Sequence, residues 1–235
     1  IVAGNIKDEK AVIEKIKETF ASLRGGQPRA QPKVMEEQVR PAIVHEERST
    51  DQTHLILGFR AFGKNDPRIW AASLLSTILG GGMSSRMFLE IREELGLAYH
   101  ISTSFDDFSR YGYFATYAGV PHGKFEKAVG AVLGEYVKIR DIAVPQSELN
   151  KARDFVKGTT LIALESSSSL ATFIGGEEII TGKAVTVDEV FAKLDAITPA
   201  EIQAVARDII KAGTMNLALL GPKRDQAEIE RLLKV

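Results

Sequence analysis

Two stretches, AYHISTSF (98–105) and YGYFATYAGV (111–120), alternate apolar and polar residues on either side of the short polar run DDFSR. Side chains on a strand point to its two faces in turn. Period-two patterning in two runs joined by a few turn residues therefore specifies an antiparallel hairpin. Pro121 closes it. A hairpin of this kind needs more strands beside it and a layer to cover one face, and the rest of the chain offers both. Further strands are expected at 43–48, 53–61 and 214–220. Helical spacing recurs over about 122–140, 146–164, 168–181, 186–195 and 198–211, the last opened by Thr198 as N-cap with Pro199 and Glu201 in the first turn. An earlier helix opens at Asp66-Pro67, with Pro67 at its first position, and runs through Trp70, Leu74, Leu75 and Ile78 to Leu79. The expected fold class is α+β: a largely antiparallel sheet with helices packed on one face. The 98–120 hairpin is expected at its centre, because both strands are dense in apolar and aromatic residues.

The two ends of the chain resemble each other. IVAGNIKDEKAVIEKI and LALLGPKRDQAEIERL both read as strand, glycine turn, charged pair and amphipathic helix. Ile1–Ala3 is expected as a short strand, with Val12, Ile13, Ile16, Phe20 and Leu23 on one helical face and Gly25-Gly26 ending the helix. GGQPRAQPK comes next, without apolar period. Strand-turn-helix is a common unit, which is the plain reading; the sharper one, favoured by the mid-strand start, is an internal duplication. Residues 1–24 are the terminal strand and helix of a preceding unit, 25–41 a linker and 42–235 the main domain, and the mid-strand start at Ile1 fits a piece of a longer protein.

With 235 residues, 44% hydrophobic and 26% charged, the chain can bury a substantial core. A formal net charge of −1 provides no global field for nucleic acid or an acidic membrane. The longest apolar runs are too short to span a bilayer. The absence of cysteine excludes disulfides, thiolate zinc sites and a cysteine nucleophile, and leaves the compartment unknown.

The chemistry concentrates in LGGGMSSRMFLEIREELGLAY (79–99). A phosphate loop would need a lysine and a strand before the glycines, and neither is present. The local physics is a helix break at Gly80–Gly82, with Ser84 or Ser85 capping the next helix and Gly96 ending it. Phe88, Ile91 and Leu95 would form the buried stripe of that helix. Arg92 then falls in the last helical turn and Tyr99 at the start of the next strand, seven residues apart across a sharp reversal. A guanidinium and a phenol on one rim are both donors, suited to a polarised peptide carbonyl or the oxyanion that grows on it. The plainer reading pairs Arg92 with Glu93 and makes Tyr99 a half-buried strand aromatic. Among the other candidates, His45, His54, His100 and His122 have no ligand-pair spacing, and His100 should point to the opposite face from Tyr99. Glu177-Glu178 reads as a solvated helix start.

ILGGGMSSRMFLEIREELGLAY, together with HLILGF, NDPR, YGYFATYAGV, SELNKARDFVKGTTLIALES and LALLGP, resembles the second-half segment of the insulinase and mitochondrial-processing-peptidase family. These are pitrilysin-type zinc metallopeptidases with the inverted motif H-x-x-E-H. The resemblance implies a metallohydrolase-like half of a duplicated two-domain peptidase, in which two homologous halves form a chamber. The first half would hold zinc, and the second would supply an Arg/Tyr pair that binds substrate. That pair falls on Arg92 and Tyr99 as catalytic and substrate-binding residues. No H-x-x-E-H occurs in this chain. Zinc is therefore expected in the intact enzyme, from the missing N-terminal half or a homologous subunit in a dimer, with no metal ligand here and no activity from this chain alone. The alternative is a non-catalytic or partner subunit of a peptidase-like heterodimer, or a respiratory-complex scaffold. A scaffold has no use for an oxyanion clamp, which argues against that role.

Overall fold

The computed structural model describes residues 1–27 and 34–233. Part of the expected linker, 28–33, lies outside the described residues. Strands β1 (Ala42–Glu47), β2 (Thr53–Ala61), β3 (His100–Asp107), β4 (Gly112–Val120) and β5 (Met215–Gly221) form one sheet in the order β1-β5-β2-β4-β3. The β2–β4, β2–β5 and β3–β4 pairs are antiparallel, and β1–β5 is parallel. The fold is α+β with a mostly antiparallel sheet, and each strand lies within about two residues of its expected span.

The placement of the hairpin differs from expectation. β4 is internal, but β3 is an edge strand, and β2 takes the middle with β4 on one side and β5 on the other. The density of rings on the hairpin has two origins. Phe114 faces the core, whereas Tyr113 and Tyr117 decorate the opposite, open face. Only the first bears on how deeply a strand is buried.

Leu55, Leu57 and Phe59 of β2, Phe114 and Ala118 of β4, and Leu217 and Leu219 of β5 point to one face. They pack with residues of α2 (Ile69–Gly80), α3 (Phe125–Asp141) and α7 (Pro199–Ile209) in one core. Burying such a side chain stabilises the fold by about 1.5–3 kcal/mol. Under the sheet, the Tyr136 hydroxyl donates to Leu57 O at 3.1 Å and lies 2.6 Å from Thr116 Oγ1, so this buried ring keeps its polar end satisfied. Ile56, Ala115 and Tyr117 lie on the other face, where Ile56 is 47% exposed and Ala115 and Tyr117 are partly exposed.

The caps arise from local sequence. Thr198 and Glu201 form a capping box on α7, and Thr186 with Glu189 does the same for α6 (Val187–Ala196). α2 starts later than expected. Asp66 Oδ1 accepts the Arg68 N–H at 2.9 Å, so Asp66-Pro67 makes the turn before the helix and Pro67 is not its first residue. Two further elements complete the helical layer, α4 (Gln146–Ala163) and α5 (Ser167–Thr181). Glu177 is not at a solvated helix start. It lies nearly three turns into α5, in its C-terminal part, with its side chain 16% exposed and 2.7 Å from Lys64 Nζ, which also approaches Asp107 at 3.4 Å.

Ile1–Ala3 is not a strand. α1 (Glu9–Phe20) is capped by Asp8 accepting from Ala11 N, ends before Gly25-Gly26, and contributes no buried residue. Ile1 rests against α5 at Gly175, where a Cβ would come within 2.7 Å of Ile1 Cγ1. The chain closes with α8 (Gln226–Leu232).

Candidate functional site

α2 runs into β3 so closely that a Cβ on Gly80 would lie 2.3 Å from the Thr103 amide nitrogen. A glycine is therefore required where the helix ends. The serines do not cap the next helix: Ser85 Oγ donates back to Gly82 O at 2.6 Å, closing a tight turn. The chain then winds into a helical segment that changes register. Leu89 N–H reaches Ser85 O, four residues back, but Leu95 N–H reaches Glu90 O, five back, and Phe88–Glu94 is a π-helix. Gly96, at φ +57°, reverses the chain, and Leu97 N–H donates to Ile91 O at 2.8 Å across it. The wider winding alters the buried stripe. Met87 and Ile91 are fully buried, while Leu95, expected inside, is 45% exposed.

This segment carries Arg92 in its last turn. Buried Leu97 and Ala98 then bring Tyr99 to the rim of the sheet, where its N–H donates to Gly119 O at 3.2 Å. Tyr99 is 75% exposed. Arg92 Cζ lies 5.6 Å from the centre of the Tyr99 ring and 4.6 Å from the Phe88 ring. Its Nε is 3.5 Å from the Glu93 carboxylate, and its side chain is 36% exposed. Structure thus brings Arg92 and Tyr99 to one rim, beside the Glu93 contact that the plainer reading foresaw. An exposed phenol and a half-exposed guanidinium can both donate to one acceptor approaching from solvent.

Three of the four histidines are engaged elsewhere, and the fourth, His45 on β1, has its Nε2 buried without a hydrogen-bond partner. His54 Nδ1 pairs with the Tyr117 hydroxyl at 2.8 Å on the open face, and His100 is exposed there with its ring 5.6 Å from that of Tyr117. His122 sits between Thr53 Oγ1 and Thr50 O, both at 2.9 Å. Among the described residues, no three His, Cys, Asp or Glu side chains converge to hold a metal ion. The donors present do not fit a zinc ion, and no step at a metal is assigned to this chain.

Sequence reasoning missed the groups that brace the segment. Arg86 Nε and Nη2 bond both carboxylate oxygens of Glu148 at 2.9 and 2.7 Å, and Lys124 Nζ donates to Gly96 O at 2.9 Å. The first partner lies 62 residues away in the chain, and no local pattern signals it. The nearest hint in the sequence is an arginine beside an otherwise apolar helix start.

The sequence profile of a family described as the Peptidase M16 inactive domain matches residues 1–156. The chain belongs to this family. An uncharacterized zinc protease of Streptomyces coelicolor is 33% identical over 231 residues, covering 95% of this chain and 50% of that protein. A crystal structure of a peptidase M16 inactive domain from Pseudomonas fluorescens shares the fold, at 23% identity and TM-score 0.77 over 93% of this chain and 53% of that one. A chain of complex III2 from Candida albicans shares it too, at 16% identity and TM-score 0.80 over 97% of this chain and 57% of that one. The chain spans about half the length of the curated relatives it matches. Relatives of this M16 domain are named zinc proteases, while the M16 domain itself groups no metal ligands among its described residues.

Proposed function

We propose that this M16 inactive domain is the C-terminal half of a zinc metalloendopeptidase and supplies a two-donor clamp for the peptide substrate. The observation that supports it most is the meeting of Arg92 and Tyr99 at an exposed rim, 5.6 Å between guanidinium carbon and ring centre, held by a rare π-helical turn on one side and the sheet on the other. Both groups hydrogen-bond to a peptide carbonyl oxygen and bond more strongly as negative charge grows on it. The zinc of the intact enzyme belongs to the preceding half or a homologous subunit. Residues 1–24 belong structurally with that half. α1 has no buried residue and exposes Ile13, Ile16 and Phe20, which supports this assignment. The likeness to a complex III chain is one of fold, and the scaffold alternative draws on it alone.

The test compares this chain with the full-length protein. The expected result is stoichiometric zinc and chelator-sensitive peptide hydrolysis in the full-length protein, with neither in residues 1–235 alone. Zinc-dependent hydrolysis by the 235-residue chain, or none by the full-length protein, contradicts the proposal.

A further inference from the structure

We propose that Arg86 is a positioning residue: its fork on Glu148 holds the Phe88–Glu94 segment in π register and so keeps Arg92 facing Tyr99. The inference rests on the clamp reading and adds a device that sets its geometry.

A helix bonded five residues back is rare and less favourable than one bonded four back, and it persists only where surroundings over-determine it. The register changes between Ser85, which accepts the four-back bond from Leu89, and Glu90, which accepts the five-back bond from Leu95. Arg86 lies two residues before the π-helix, in the short α-helical turn that leads into it. Relaxation to an ordinary α-helix would wind the following residues round by one position, a rotation of roughly 100° about the axis. Arg92 lies beyond the change, so the same rotation would swing its guanidinium away from the Tyr99 ring. Tyr99 itself would not follow, because its amide is fixed to Gly119 on β4.

Glu148 is well placed to prevent this. It lies in the first turn of α4, where the free amides favour a negative charge. Both side chains are largely buried, and the two parallel bonds fix orientation as well as distance. The Glu148 bond also holds the Arg86 guanidinium above its already high range. Other contacts share the load. Lys151 Nζ holds Ser84 O at 2.9 Å, Lys138 Nζ bonds Glu135 at 2.6 Å and lies 4.0 Å from Glu90, and Lys124 fixes Gly96 O. Met87 and Ile91 seat the inner face in the core. Arg86 thus joins the turn that leads into the segment to a separate helix, while the reacting rim lies six residues on.

The experiment is a mutant cycle in the full-length protein, using a fluorogenic peptide that the wild-type protein cleaves. Arg86→Met is expected to lower kcat by about 10- to 100-fold, with KM within about twofold, as misplacement of a catalytic group does. Arg92→Ala is expected to be slow on its own. Adding Arg86→Met to Arg92→Ala should cost less than about threefold more, because a residue that acts through Arg92 has nothing left to position. If the two losses multiply in full, or Arg86→Met turns over normally, the positioning role is overturned while the clamp stands. Wild-type turnover in Arg92→Ala overturns the clamp itself and this inference with it. If Arg86→Met does not fold, Arg86→Lys, which keeps the charge but loses the fork, goes through the same cycle with the same outcomes.

Discussion

Arg92 and Tyr99 differ from ordinary surface donors in how little freedom their backbones have. Tyr99 is pinned through its own amide to Gly119, and Arg92 sits between a register change and a glycine in the left-handed region. Such restraint is what a group acting on a developing charge needs, since its geometry costs nothing to organise at the moment of reaction. Under the proposed function, Arg92→Lys in the full-length protein should lower turnover by roughly 10- to 100-fold, because an ammonium cannot reproduce a planar fork and the shift in position is of the order that costs this much. Steady-state kinetics check it, with an unchanged circular dichroism spectrum as control. That the two residues meet at one rim was legible from their seven-residue spacing across Gly96, and the clamp role is what the family resemblance implies. Their bracing was not, because Arg86–Glu148 and Lys124–Gly96 join residues 62 and 28 positions apart.

Among the elements, the strands were legible because period two leaves a mark in a few residues, and the capping box at Thr198 because it is local in sequence. The π-helix left no comparable mark. Its apolar spacing reads as an ordinary helix, and only the exposure of Leu95 betrays the wider winding. The β3 edge position was equally hidden, since β2, β5 and β1 all add on the far side of β4, a choice that no local pattern in the hairpin signals. At the start of α2, hydrogen bonding from Arg68 holds the Asp66 carboxyl below the ordinary carboxylate range. A depressed folded-state pKa means that the unfolded chain binds the proton more readily. The stability from this turn is therefore present above the unfolded carboxylate value of about 4 and is lost as pH falls through and below it. Urea midpoints measured from pH 7 down to pH 3 should fall less steeply for Asp66→Asn than for the wild type. Equal slopes would show that this turn contributes nothing to acid sensitivity.

For the whole molecule, the five-stranded sheet and its single covered face leave the open face, the Arg92/Tyr99 rim and α1 as the surfaces a second half could meet. Since no residue of α1 is buried, deleting residues 1–24 from this chain should shift its melting temperature by less than about 2 °C. A loss of many degrees would mean that the segment belongs to the 42–235 domain, against the duplication reading. The α+β class and family membership were accessible from sequence because the stretch from Leu79 to Tyr99 is specific and the strands flanking it are regular. The chemistry was not, because the zinc for which relatives are named finds no group of ligands among the described residues. The most direct measurement is kcat of the full-length protein carrying Tyr99→Phe. It removes one hydroxyl from an exposed ring, so the fold and any zinc in the other half are untouched. If the phenol holds the developing oxyanion, kcat falls by roughly 10²–10³, about 3–4 kcal/mol, with zinc content unchanged. Turnover equal to wild type would contradict the clamp.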